Sequence, residues 1–435
     1  MTPRDDNQLS APQENMMPTP FSWKARHSVL SVLFITWIVS HMDRMVMSIA
    51  IPYIAADFQL SSLASGFVLS AFFAGYSISH IPGGLLADRF GVRRVTTIAL
   101  LWWSAFTALT GSVGSLAQML FARLFFGLGE GIFPACAFKT ISVWFPLRER
   151  ATANAIMLSS NALGTALAPL IVVGVMATWG WRAAFHLMFI PGIIIAAIYW
   201  FLVADSPAKS RRISPQERAE IEAGSDDKGD DTAKHSLRDA WQQPYILRYF
   251  LILFVFDIAF WGFTTWLPTY LVKARGFSLV EMGAAASLPF FAGTLGFIVG
   301  GFVSDRLFPA RRGVPIIATE LISAALLYIM FTTQSTPVLI VCQTLAGFFL
   351  SAFFSTFWAY PMNSVPSRMM GVTGGFINMA GQLAAFLSPL AIGYLLDMSS
   401  GGFGMTFALM IGSLIVSSII VLSLPSRVTP ATAIA

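Results

Sequence analysis

Hydrophobic positions in this chain run in unbroken blocks rather than alternating with polar ones. A block of about 20 apolar residues in helical form spans the hydrocarbon of a bilayer. Twelve such blocks can be marked, over 28–54, 61–86, 95–114, 116–140, 153–178, 183–204, 246–272, 280–303, 314–333, 337–361, 370–396 and 403–424. They fall as six, a gap, then six. The gap contains SPAKSRRISPQERAEIEAGSDDKGDDTAKH, a mixed-charge stretch with little to bury, and predicts a solvated linker with one short surface helix. The first residues are rich in Pro, Asn, Gln and Ser, with no apolar core ahead of a small-residue cleavage site, so they read as a polar tail and not as a signal peptide. The expected division is a tail over 1–27, a six-helix bundle over 28–204, a linker over 205–245, a second six-helix bundle over 246–424 and a tail over 425–435.

Composition narrows the class further. Of 435 residues, 56% are hydrophobic and 11% charged, against about 45–50% and about 25% in soluble domains. A water-soluble enzyme is excluded on that ground, and neither a Ser-His-Asp or HExxH signature nor a phosphate-cradling GxxxxGK[ST] loop is present to suggest catalysis or ATP-driven work. The net charge of +5 leaves nucleic acid and an anionic membrane surface as partners, and the distribution of the cations selects the membrane. Twenty-one Lys and Arg lie on the side of the termini and the linker, and three, Arg182, Lys273 and Arg275, on the other. The positive-inside rule then puts both termini and the linker in the cytoplasm. Cys136 and Cys342 are the only cysteines and both fall in apolar blocks, which leaves no disulfide framework and no metal pair. Short outer loops and the absence of any Asn-x-Ser/Thr acceptor suit a bacterial inner membrane. Both halves of a pathway lie in one chain, so a monomer suffices.

An internal repeat supports the two-halves reading. Between the second and third blocks stands Gly83-Gly84-Leu85-Leu86-Ala87-Asp88-Arg89-Phe90-Gly91-Val92-Arg93-Arg94, and between the eighth and ninth Gly300-Gly301-Phe302-Val303-Ser304-Asp305-Arg306-Leu307-Phe308-Pro309-Ala310-Arg311-Arg312. The glycines permit close helix approach at the membrane edge, and the arginines anchor it to the cytoplasmic surface. This GGxxxDR pattern, closed by RR after three residues in the first copy and four in the second, together with the twelve-block layout, resembles the major facilitator superfamily. The resemblance implies an all-α membrane fold of two pseudo-symmetric six-helix bundles around a central cavity. It also implies a conformational latch at Asp88, Arg89, Asp305 and Arg306.

An ionised group at bilayer depth is costly, by at least about 2.5–3.5 kcal/mol on insertion scales, so each one is a functional candidate. The first block carries His41-Met42-Asp43-Arg44, and the fourth carries Arg123 and Glu130. Seven residues turn a helix through almost two full turns, so Arg123 and Glu130 share one face. Asp43 and Arg44, being adjacent, point about 100° apart. A guanidinium holds a carboxylate through a planar fork, which makes Arg44 and Arg123 the candidates for binding an organic anion. Carboxylates nearby compete for those arginines unless protonated, and burial favours the neutral form. Asp43 and Glu130 are therefore expected to couple proton uptake from outside to substrate binding, with release inside restoring internal ion pairs. The proton gradient is the driving force, and no cofactor or metal is expected.

A narrower resemblance rests on Asp43-Arg44, on Tyr76 followed by Ile81-Pro82-Gly83-Gly84, and on the run GEGIFPACAFKTISVWFPLRERATA, which opens at Gly129-Glu130. These residues look like those of the anion:cation symporter family, which includes bacterial sugar-acid and galactonate transporters, sialin and vesicular glutamate transporters. The resemblance implies proton coupling at Asp43 and Glu130. It implies substrate contacts at Arg44, Tyr76 and Arg123 and at polar groups of the fifth and eleventh blocks, best matched by Asn161 and Asn378. His80 stands one turn after Tyr76, where many relatives carry glutamine, and Asp257 lies mid-block where a neutral residue is expected. Together with Trp358, one of several aromatics near the expected C-terminal cavity with Trp261, Trp266 and Tyr360, they form a possible extension of the site. Glu320 is expected to snorkel or pair locally, and Lys139 to snorkel to the cytoplasmic surface.

The function expected is import of a small organic anion, a sugar acid or another carboxylate, by proton symport. Two alternatives stand beside it. A drug or hydrophobic-cation exporter needs a cavity carboxylate such as Asp257, but the two buried arginines argue against it. An organic-phosphate exchanger also uses paired arginines, normally one in each half, and the seventh block has none.

Overall fold

In a computed structural model, residues 23–223, 245–365 and 367–425 are described. Most of the expected N-terminal tail, linker residues 224–244, and 426–435 of the C-terminal tail lie outside them, and with them Arg4, Lys228, Lys234, Arg238 and Arg427 of the cation count.

The described chain is helical throughout. The helices are α1 (Ala25–Asp57), α2 (Ser62–Phe90), α3 (Val92–Ser112), α4 (Leu116–Glu130), α5 (Phe133–Trp144), α6 (Leu147–Leu202), α7 (Pro215–Ala223), α8 (Ile246–Lys273), α9 (Leu279–Arg306), α10 (Gly313–Thr332), α11 (Thr336–Ser364), α12 (Ser367–Met398) and α13 (Gly404–Leu422). Among the described residues, eleven helical stretches are long and apolar enough to cross a membrane. The longest, α6, has 56 residues, well beyond the about 20 that one crossing needs. It is interrupted at Gly180, where φ is 77° and ψ 174°, a backbone conformation that only glycine adopts without strain. Two blocks read from the sequence, ending at 178 and starting at 183, meet at this kink.

Local signals fix the ends. Ser61 and Ser115 cap α2 and α4 with their hydroxyls, and Ser278 and Glu281 form a reciprocal capping box on α9. The fourth block does not run straight through. It breaks after Glu130, because Pro134 in the first turn of α5 has no N–H to continue the ladder.

Close packing of α2 on α4 sets the position of everything that follows. A Cβ on Gly75 would collide with the Leu124 carbonyl, and one on Gly127 with the Phe72 carbonyl. Only glycine permits these backbones to touch, and the touch brings Phe72 and Tyr76 beside Arg123 and Glu130. The same arrangement recurs after the linker, where Gly296 meets the Phe348 carbonyl and Gly347 the Pro289 carbonyl between α9 and α11.

Helices before and after the linker meet through α2 with α12, α6 with α9 and α1 with α8. The hydrogen bonds seen between them lie at one end. The Asp397 carboxylate accepts from the backbone N–H groups of Ser62 (2.8 Å) and Leu63 (3.0 Å), and Ser70 donates to the Phe386 carbonyl (2.7 Å). Asp397 thereby caps the start of α2 from across the molecule, where the helix dipole favours an anion.

At the opposite end the expected short linker helix is present as α7, and it is docked rather than free. Glu217 accepts from the backbone N–H groups of Ala25 (3.0 Å) and Arg26 (2.9 Å), capping α1. Glu220 is held by Lys24 (2.6 Å), Arg26 (3.2 Å) and Arg148 (2.8 Å). The hydrogen bond from Lys24, followed by those of Arg26, pulls the Glu220 carboxyl down from 4.5 to about 2. A depressed carboxyl stabilises docking fully above its ordinary range and loses that contribution as pH falls through the depressed value. The protection of the α7 amides, taken relative to their intrinsic exchange rate at each pH, is thus expected to be high and flat from pH 7 to about 5 and to fall between about pH 4.5 and 2. Glu220→Gln is expected to remove that acid transition.

Candidate functional site

The ionisable residues picked from the sequence in the first and fourth blocks converge. The Arg44 Nε lies 2.5 Å from Glu130 Oε1, and the Ser40 hydroxyl donates to the same oxygen at 2.6 Å. Glu130 is 1% exposed, and its second oxygen has no partner. Ser40 and Arg44 are one turn apart on α1, so one helix face supplies both groups. The Arg44 guanidinium stacks on the Tyr76 ring at 4.5 Å and on Phe72 at 5.2 Å.

Arg123 projects from α4 two turns before Glu130, on the same face. It is 3% exposed and forms no ion pair among the described residues. Its guanidinium lies over Phe126 at 4.6 Å and over Phe72 at 5.3 Å. Phe72 therefore serves as a common aromatic platform for two guanidinium groups, which offsets part of their desolvation through the ring quadrupoles. Asp43 is 1% exposed, and both of its carboxylate oxygens lack a hydrogen-bond partner. The groups nearest to it electrostatically are Glu130, Arg123 and the indole of Trp103. Two cations and two carboxylates are thus enclosed together, with a single ion pair formed.

The outlying candidates separate. His80 is half-buried, its ring 5.6 Å from Tyr76, with Nδ1 sealed and unpartnered. The Asn161 side-chain oxygen is also buried without a partner. Asn378 is exposed. Asp257 is 4% exposed, with one oxygen unpartnered and the other turned toward Gly381 of α12, where a Cβ would meet it at 2.6 Å. Trp358 is half-buried against Phe357 and faces Gly374. Trp266 is 3% exposed within the helix core, and Tyr360 is turned to the Pro425 carbonyl at 2.5 Å. Trp261 packs edge-on against Phe73 at 4.8 Å, where α8 meets α2.

The loop residues find local partners. Asp88 pairs with Lys139 at 2.5 Å and Asp305 with Arg312 at 2.5 Å, while Arg89 and Arg306 rest on the rings of Phe90 and Phe302. Lys139 thus reaches the surface as expected but ends on a carboxylate. Glu320 does not snorkel. It is fully buried and accepts from Ser417 (2.5 Å) and Ser418 (2.7 Å) of α13. No cluster of three His, Cys, Asp or Glu that could hold a metal occurs among the described residues.

Sequence reasoning missed Ser40, Phe72 and Trp103. For the first two the signal was available: Ser40 is one turn before Arg44 and Phe72 one turn before Tyr76. Nothing in the sequence points Trp103 of α3 toward Asp43.

Comparison with known proteins places this geometry. The sequence model of the Major Facilitator Superfamily matches residues 33–389. The chain is 32% identical over 397 residues to a probable sulfoacetate transporter of Cupriavidus necator, covering 88% of this chain and 90% of that one. It is 31% identical over 396 residues to a probable galactarate/D-glucarate transporter of Escherichia coli K12, covering 86% and 88%. Among solved structures, a bacterial homolog of the human lysosomal transporter Spinster, in an inward-facing and unoccupied conformation, superposes with a TM-score of 0.73 at 18% identity, covering 93% and 96%.

Proposed function

Since the chain belongs to the Major Facilitator Superfamily, we propose that it is a secondary transporter importing a small organic anion, a sugar acid or another carboxylate, by proton symport through alternating access. Transport rather than catalysis is its activity, and the protein is a multi-pass membrane protein. The relatives named for sulfoacetate and for galactarate and D-glucarate carry anionic substrates, in keeping with paired guanidinium groups at mid-membrane. On this reading the kink at Gly180 separates two crossings within α6, and the spans number twelve. The bundles cover 28–204 and 246–424, and both termini and the linker face the cytoplasm of a bacterial inner membrane. With that orientation the Asp397 cap closes the extracellular side, and the chain rests inward-facing as a monomer.

One observation carries the reading: a buried cation, Arg123, stands free of any ion pair beside a second, Arg44, that is engaged by a carboxylate. Arg123 is open to the substrate carboxylate. Arg44 joins it when Glu130 takes up a proton and gives up the ion pair, while Ser40 keeps its hydrogen bond to the acid. Asp43, without hydrogen-bond partners next to Arg123, is the second proton-coupling group. Tyr76 orients Arg44 and lines the substrate path, and Asn161 and Asn378 contact the substrate from the fifth and eleventh spans. His80, Asp257 and Trp358 extend the site. Asp88, Arg89, Asp305 and Arg306 rearrange as the cytoplasmic latch when the inner side closes, with Asp88 leaving Lys139. An exporter of hydrophobic cations fits poorly, because the charge left free here is positive.

The test is uptake by membrane vesicles of a labelled panel of sugar acids and short sulfonate and carboxylate anions. At least one anion is expected to accumulate severalfold above equilibrium when the outside is acidic, and to fall to equilibrium when a protonophore removes the gradient. Accumulation untouched by the protonophore would contradict symport.

A further inference from the structure

Apart from the mid-membrane charges, one cavity in the molecule has a chemistry of its own. It lies where the α2–α3 turn meets the end of α6, with a volume of about 530 Å³. Five cationic side chains line it, Arg89, Arg93, Arg94, Lys139 and Lys209, against two carboxylates, Asp88 and Asp205. Both carboxylates are committed. Asp88 holds Lys139 at 2.5 Å, and Asp205 caps α3 by accepting from the Arg93 backbone N–H at 3.0 Å, with Lys209 at 3.9 Å. Arg89 and Arg94 have no ion pair among the described residues. Arg93 is fixed with its guanidinium on the Trp200 ring at 4.3 Å and its Nε donating to the Trp200 carbonyl at 2.6 Å. Like charges gathered in one cavity repel unless an anion joins them.

The surroundings indicate where that anion comes from. Phe90 and Trp200 form part of the wall and are 48% and 38% exposed, and Phe201 beside them is 71% exposed, as side chains facing lipid are. Tryptophan at this depth marks the headgroup level of a bilayer, and clustered Lys and Arg at a helix end attract anionic headgroups. Arginine matches phosphate oxygens through its planar fork.

We propose that this cavity is a binding site for a phosphate group, supplied by an anionic phospholipid of the cytoplasmic leaflet or by phosphate in solution. It is separate from the mid-membrane substrate site and does not depend on the identity of the transported anion. The experiment is native mass spectrometry of the full-length protein in detergent, titrated separately with phosphatidylglycerol, phosphatidylcholine and inorganic phosphate, for the wild type and for Arg94→Gln/Lys209→Gln. Arg94 has no ion pair among the described residues and Lys209 only the long one to Asp205, and an unchanged Tm in lipid-free detergent shows that the variant is folded. The wild type is expected to retain phosphatidylglycerol about tenfold more tightly than phosphatidylcholine, with the preference lost in the variant; this result assigns the site to lipid. Saturable inorganic phosphate binding that the variant loses, without any lipid preference, assigns it to soluble phosphate. Equal retention of all three ligands by a folded wild type and variant would overturn the proposal.

Discussion

Glu130→Gln is expected to abolish concentrative uptake while leaving substrate binding intact. Glutamine preserves the shape of the acid and can still accept the Ser40 hydroxyl, now 2.6 Å from Oε1, but it carries no charge for Arg44 to pair with. The variant therefore imitates the protonated carrier permanently. Arg44 stays available to the anion, so counterflow of labelled against unlabelled substrate is expected to proceed within about threefold of the wild-type rate. The return of the empty carrier requires the proton to leave, and accumulation driven by a pH gradient is expected to fall from severalfold above equilibrium to equilibrium. The pH dependence of substrate binding should flatten. Vesicle uptake and counterflow measured side by side separate these effects, and a variant that still concentrates substrate in proportion to the pH gradient would remove Glu130 from the coupling.

Arg123→Gln is expected to remove binding itself. Its guanidinium is buried on Phe72 and Phe126 with no carboxylate partner among the described residues, and in the proposed mechanism the substrate is its counterion. Truncating one member of a buried charge pair costs about 2–5 kcal/mol, and about 1.4 kcal/mol is tenfold in affinity. A loss of affinity of roughly 30-fold to several thousandfold is the expected range, read by substrate-induced thermal shift or scintillation proximity. Arg123→Lys is expected to recover only a minor part, since an ammonium cannot meet a carboxylate in a planar fork or stack on two rings in the same way. Folding is not expected to suffer, because an unpaired buried cation contributes little to stability and neutralising it removes a desolvation cost.

Much of this architecture was readable in one dimension. Blocks longer than a bilayer is thick declare themselves by hydropathy, and the glycine pair near the end of α2, repeated near the end of α9, declared an internal repeat. The site was legible for a different reason: Asp43, Arg44, Arg123 and Glu130 break a rule that the rest of each block keeps, and helix geometry alone puts Arg123 and Glu130 on one face. What escaped was whatever depends on the facing of helices that are apolar all round. Such helices carry almost no amphipathic stripe to orient them, so the sequence could not separate Trp266, buried in the core, from Trp358, or the exposed Asn378 from the half-buried Asn161. Glu320 escaped because its partners, Ser417 and Ser418, lie almost a hundred residues away on α13. The docking of α7 escaped because a charged helix looks solvated until the cations of α1 and α6 are brought against it.

The central claim is that anion binding and protonation of the Arg44–Glu130 pair are one event. The most direct measurement is the proton count on binding: purified protein in weakly buffered detergent with a pH-indicator dye, titrated with its substrate near neutral pH. Wild-type protein is expected to take up about one proton or more per anion bound, and Glu130→Gln to bind the anion while taking up at least one fewer. Stoichiometric anion binding by the wild type with no proton uptake at any pH between 6 and 8, or uptake unaltered in the variant, would contradict the account.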